Sequence, residues 1–192
     1  YIMQNLFDSH NTNRISSHIV NRKIGSYRNW GEYFNKSKGS NPEYNTEKPS
    51  KKDRKIQKLA VIMQMTYVGA PMVYYGDEAG MWGANDPCCR KPMVWADIKY
   101  RDEHYLGDGT KRKVGDKVEF DKDLFEHYRK LIQIRKNCPA LQLGDFVTLI
   151  TNNAKQIYAF SRNYGDQKVI VVLNNSNRPQ KTKIKLTKKD IY

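Results

Sequence analysis

The chain has 192 residues, 39% hydrophobic and 11% aromatic, and its 34 Lys and Arg against 20 Asp and Glu give a net charge of +14. That length suits one substantial domain or two small ones, and the apolar share excludes a disordered chain. No run approaches the roughly 18 apolar residues of a membrane span, and no basic stretch followed by an apolar core marks a signal peptide.

The basic residues are dispersed, apart from Lys51, Lys52, Arg54, Lys55 and Lys58 and a Lys-rich run over 181–189. No helix-turn-helix, zinc-finger or RNP-like segment accompanies them. They read as a solvated face, or the basic part of a larger, balanced protein, rather than a nucleic-acid site. Cys88, Cys89 and Cys138 form neither a disulfide framework nor a C-x-x-C pair, and the four His show no metal-ligand spacing. No metal site is read, and the compartment is left open.

In chain order, residues 2–8 read as a short buried strand carrying Ile2, Met3, Leu6 and Phe7, which ends in the polar cluster Asp8-Ser9-His10-Asn11. Residues 12–24 read as a short helix with Ile15, Ile19 and Val20 on one side, and the Gly-, Asn- and Ser-rich residues 25–50 as a long surface loop. Ser50 caps a helix whose Ile56, Leu59, Ala60, Met63 and Tyr67 share a stripe, stopped by Gly69 and Pro71. Met72-Val73-Tyr74-Tyr75 reads as a strand buried on both faces, as in a parallel sheet, ending in Gly76-Asp77-Glu78. A second loop region covers 79–118. The next helix carries Leu124, Phe125, Tyr128, Leu131 and Ile132, with Asp121 or Asp123 as cap and Pro139 as stop. Beyond Pro139 the pattern becomes antiparallel β, with strands over 146–150, 156–162, 168–173 and 182–186. Strands alternating with helices imply βα units, whose ligand sites lie at the C-terminal strand ends, so both polar clusters are expected on one rim.

Three ordered segments carry a resemblance. "NLFDSHNTNR" (5–14), "GAPMVYYGDEAGM" (69–81) and "DPCCRKPMVW" (86–95) resemble the seventh-strand, eighth-strand and following-loop segments of the α-amylase family of glycoside hydrolases. The third is similar to the neopullulanase, cyclomaltodextrinase and oligo-glucosidase branch. The resemblance implies an α/β fold: the last two βα units of a TIM (β/α)8 barrel over 1–138, then a partial antiparallel β-sandwich over 139–192. It implies a retaining hydrolase of α-1,4-linked glucans, with the nucleophile Asp and the acid/base Glu outside this sequence. Such an enzyme needs two carboxyls and contacts to ring hydroxyls that strengthen in the transition state. The family's third Asp makes such contacts, and here that position is Asn11, which hydrogen-bonds but carries no charge. Loss of one such contact costs about 3–4 kcal/mol.

The resemblance implies sugar contacts from His10, Arg14, Trp82 and Arg90, with Tyr75, Asp77 and Glu78 supporting the site. Without the flanking motif, His10 would read as a buried structural histidine, and Trp82 and Trp95 could equally pack the loop. Asp77 and Glu78, adjacent on a strand, should point to opposite faces. No cofactor is implied, and calcium is open only for a longer parent. The expected partners are an α-glucan and either the missing N-terminal half of the barrel or a second copy, because two barrel strands alone leave unpaired edges. The rival readings are a non-catalytic glucan-binding homologue and a basic nucleic-acid-binding protein.

Overall fold

The computed structural model describes residues 3–24 and 29–184. Ile2, residues 25–28 of the expected loop, and 185–192, with part of the Lys-rich run and of the expected last strand, lie outside the described residues. Two compact units emerge: residues 6–58 with 72–128, and residues 1–5 with 59–71 and 129–192.

In the first unit, α1 (Ile15–Val20) buries Ile15 and Ile19, as the spacing of its apolar residues predicts. The expected surface loop is instead ordered around buried rings. It contains α2 (Trp30–Lys36), and Tyr33 and Tyr44 are each only 3% exposed. The Asn13 side chain joins them: its Oδ1 accepts from Tyr33 Oη at 2.9 Å and its Nδ2 donates to Tyr44 Oη at 2.8 Å. Turn-forming composition concealed this, because the segment is anchored by two aromatic side chains rather than by a periodic stripe.

Helix α3 (Lys51–Thr66) starts at the expected cap. Ser50 Oγ accepts from Asp53 N at 3.3 Å, and Asp53 Oδ2 accepts from Ser50 N at 3.1 Å, a reciprocal capping box. Ser50→Ala is expected to lower stability by about 1 kcal/mol, read from the urea midpoint. The buried positions of α3 are Gln57, Val61, Gln64, Met65 and Thr66, while Met63 of the expected stripe is exposed. The stripe is rotated toward side chains that bury an amide because a carbonyl is there to accept it, such as Asp77 O from Gln57 Nε2 at 3.3 Å.

The second expected loop region holds a 3-10 turn (Cys88–Arg90) and an antiparallel hairpin of β3 (Glu103–Tyr105) and β4 (Lys111–Asp116). The hairpin escaped notice because its sequence, KRKVGD, lacks an apolar face, and Val114 is 81% exposed. Helix α4 (Lys122–Lys136) is capped by Asp121, whose Oδ1 accepts from Leu124 N at 2.9 Å. Asp123 instead pairs with Lys58 Nζ at 2.5 Å. Leu124 and Tyr128 are buried, but Ile132 is exposed. Pro139 opens α5 (Pro139–Leu143) rather than merely ending α4, since its fixed φ suits a first helical turn.

The second unit contains the parallel pair β1 (Gln4–Asn5) and β2 (Ala70–Pro71), in register Gln4↔Ala70 and Asn5↔Pro71. Both strands are far shorter than expected. Met3 and Leu6 are 58% and 45% exposed, so the first segment is not buried as predicted. The second ends at Pro71, before the Tyr doublet, and Met72 to Tyr74 are half-buried outside the strand. Two residues of pairing cannot bury both faces of either segment. A meander of β5 (Asp145–Asn152), β6 (Ile157–Tyr164) and β7 (Gln167–Asn174) follows, close to the expected strands. Residues 182–184 form no strand, and the described residues hold this one three-stranded sheet rather than two facing sheets.

Phe160, Val171 and Leu173 form its core with Leu59, Ile62, Tyr67 and Phe146 against them. Arg162 on β6 is fully buried. Its guanidinium donates to the carbonyls of Asp145, Thr66, Leu141 and Gly144 at 2.9–3.0 Å. Arg135 does the same with the carbonyls of Met65, Tyr67 and Gly69.

Candidate functional site

The sequence-predicted residues converge in the first unit around Arg14. Asp8 Oδ2 accepts from Ile15 N at 2.5 Å and so satisfies one of the orphan donors at the start of α1. Arg14, the residue before that helix, is wholly buried. Its Nη1 donates to Asp77 Oδ1 at 3.0 Å and to the Tyr75 carbonyl at 2.7 Å, and its Nε donates to the Cys89 carbonyl at 3.0 Å. Its Cζ lies 4.6 Å from the Tyr74 ring centroid and 4.9 Å from that of Tyr75, cation–π distances. One guanidinium thus ties its own segment to two others that lie 61 to 75 residues away in sequence.

Asp8 and Asp77 are 2% and 3% exposed, and their side chains hydrogen-bond to each other. Burial pushes the Asp8 carboxyl above its ordinary range, against the lowering bonds from Asp77 and Ile15 N. Burial pushes Asp77 well above that range, and the neighbouring Asp8 charge adds to it, while Arg14 opposes. Two buried carboxyls beside one cation thus resist ionising together.

Asp77 and Glu78 do not lie on a strand. They sit in the turn over 75–80, where Gly76 and Gly80 take φ of +86° and +82°. Asp77 is drawn inward by Arg14, whereas Glu78 Oε2 accepts from Gly76 N at 2.9 Å. Tyr75 is 40% exposed, and its Oη donates to the Lys91 carbonyl at 2.7 Å.

His10 and Asn11 are exposed beside this buried knot, so His10 is no core histidine. The 3-10 turn holds them from behind. Arg90 Nε donates to the His10 carbonyl at 3.0 Å, Cys89 Sγ to the same oxygen at 3.3 Å, and Arg90 Nη2 to Asn11 Oδ1 at 3.2 Å. Asp86 Oδ1 pairs with Arg90 Nε at 2.6 Å.

Trp82 does not join the group. It is 4% exposed, with the ammonium groups of Lys91 and Lys48 lying 5.1 and 5.9 Å from its ring, which leaves no face for a sugar. Trp95, in contrast, is 55% exposed. It lines a cavity of about 1380 Å³ with Tyr75, Glu78, Tyr100, Phe120 and Phe125. Arg14, read from the sequence as a sugar contact, is wholly buried and instead joins the segments that carry the other candidate residues.

Sequence reasoning placed Asp8 in the polar cluster at the end of the first segment without a role, and did not name Tyr74, Asp86 and Cys89 as members of the site. Tyr74 meets Arg14 60 residues away and Cys89 the His10 carbonyl 79 away, contacts no local pattern marks, whereas the Asp86–Arg90 pair, four residues apart, was within reach of the sequence. Among the described residues no group of three or more His, Cys, Asp or Glu side chains is placed to hold a metal ion. Nor is any helix among them long and apolar enough to cross a membrane.

Comparison with known proteins places this geometry. The chain is 39% identical to neopullulanase 2 of Thermoactinomyces vulgaris over 123 residues, 64% of this chain and 18% of that protein. It is 38% identical to a cyclomaltodextrinase of Thermoanaerobacter pseudethanolicus over the same number of residues, again 64% of this chain and 18% of the relative. Among solved structures it is similar to a cyclomaltodextrinase at 30% identity and a TM-score of 0.57, covering 91% of this chain and 21% of that one. The chain thus spans about a fifth of the length of the relatives it matches. The family profile for the alpha-amylase catalytic domain matches residues 43–144, more than half of the chain, and the chain belongs to the alpha-amylase family.

Proposed function

We propose that the chain is part of a retaining glycoside hydrolase acting on α-1,4-linked glucans, of the starch, pullulan, cyclodextrin or maltooligosaccharide kind. Residues 1–138 supply the last two βα units of its (β/α)8 barrel, and residues 139–192 a C-terminal β domain. The nucleophile and acid/base belong to other parts of the barrel, so these 192 residues alone do not turn over substrate.

The observation that carries this reading is the exposed pair His10–Asn11, clamped by the Cys88–Arg90 turn and backed by the buried Arg14. An imidazole and an amide side by side can hold sugar hydroxyls, and the amide stands where the family places its third carboxylate. Exposed Trp95 and Tyr75 on the neighbouring cavity add aromatic surface of the kind that stacks on sugar rings. Calorimetric titration of the chain with maltotriose and β-cyclodextrin should give saturable binding without release of reducing ends. No heat with either sugar rejects the reading.

A non-catalytic glucan-binding protein is the second reading, and the neutral side chain at Asn11 favours it. The two part on Asn11→Asp in the parent polypeptide. Hydrolysis that rises by about 10²–10³-fold supports the enzyme. Binding without turnover in both forms supports the binding protein.

A further inference from the structure

Asn11 is approached by a group that can only donate. Arg90 Nη2 lies 3.2 Å from Asn11 Oδ1, and a guanidinium has five N–H groups and no acceptor. The amide therefore turns its oxygen to Arg90 and its Nδ2 away, since the opposite flip would set N–H against N–H. The guanidinium is itself held in place. Its Nε donates to the His10 carbonyl at 3.0 Å and pairs with Asp86 at 2.6 Å. The preceding residue, Cys89, donates from Sγ to the same His10 oxygen, and its carbonyl accepts from the wholly buried Arg14. The orientation at Asn11 is thus inherited from a buried cation through one short turn.

We propose that Arg90 is a positioning residue that fixes the flip of Asn11. The site then presents a neutral N–H donor outward at this position and selects an acceptor oxygen of its ligand. A carboxylate at the same place would present an acceptor and select a hydroxyl proton. The change from acid to amide thus reverses the polarity of one contact as well as removing a charge. For its ligand, a neutral saccharide, the inference rests on the glucan reading above; for the amide it rests only on the Arg90 geometry.

The test uses the whole chain labelled with nitrogen-15. In the unmodified chain the two Nδ2 protons of Asn11, distinct because the amide C–N bond rotates slowly, should shift when maltotriose is added. Arg90→Ala should displace those signals and weaken maltotriose binding by about fivefold, the loss of one hydrogen bond. Arg90→Lys, which still donates, should restore most of both. Arg90 is half-exposed, and backbone amide signals elsewhere report whether each variant remains folded. Unchanged Asn11 side-chain signals in Arg90→Ala overturn the proposal. If maltotriose binds none of the three proteins, the glucan reading fails instead, and the signals without sugar still decide the role of Arg90.

Discussion

Arg14→Met should destabilise the chain by about 3–5 kcal/mol, the cost of leaving a buried charge without its partner. Methionine roughly fills the volume of the arginine stem but offers no donor, so the carbonyls of Tyr75 and Cys89 and the carboxylate of Asp77 lose their partner together. Both acids are nearly fully buried and would face each other without a cation. Urea denaturation measures the loss. Hydrogen exchange should localise it to residues 8–14, 75–77 and 86–90, the three segments the guanidinium joins. Asp77→Asn, which keeps an oxygen for Nη1, should cost distinctly less. Equal losses for the two variants would mean that the charge pair, and not the guanidinium's bonds to the carbonyls of Tyr75 and Cys89, is what holds these segments.

The second large effect is on pH dependence. Asp8 and Asp77 both have folded pKa values raised above the ordinary carboxylate value, chiefly by burial. A raised pKa means the folded state holds a proton that the unfolded chain releases. Its stabilising contribution is fully present below the ordinary carboxylate pKa, near 4, and is lost as pH rises through the folded value. Within that window stability should fall with pH by about 1.4 kcal/mol per unit for one retained proton. The charged and titratable groups that interact with the pair are Arg14, Arg54 and Tyr128. Asp8→Asn, which mimics the protonated partner, should flatten the profile. Arg14→Met should steepen it, because the cation that favours ionisation is gone. A melt that rises with pH from 4 through neutrality in the unmodified chain would contradict the raised pKa values of the pair.

How much of this was legible in the sequence depends on the range of the interaction. Helices α1, α3 and α4 were visible because apolar spacing and caps are local, as Ser50 with Asp53 shows. The strands β5 to β7 were visible because β-branched runs are too. The anchored rings Tyr33 and Tyr44 were not, since each is held by Asn13, 20 and 31 residues away. The residues of the candidate site were found by motif, but their division of labour was not. Nothing in "HNTNR" says that His10 and Asn11 face outward while Arg14 is swallowed whole, because that depends on Asp77, Tyr75 and Cys89 supplying its partners. Trp82 was misjudged for the same reason: its burial under two lysines is decided by residues 34 positions before it and nine after it.

Arg162 and Arg135 are the counterpart of this acid-laden cluster. Their guanidiniums donate to peptide oxygens, four from one and three from the other. Peptide dipoles neither gain nor lose protons, and close-range dipole contacts are poorly shielded by dissolved ions. The three-stranded meander should therefore lose less stability than the Arg14 cluster when pH or salt is raised.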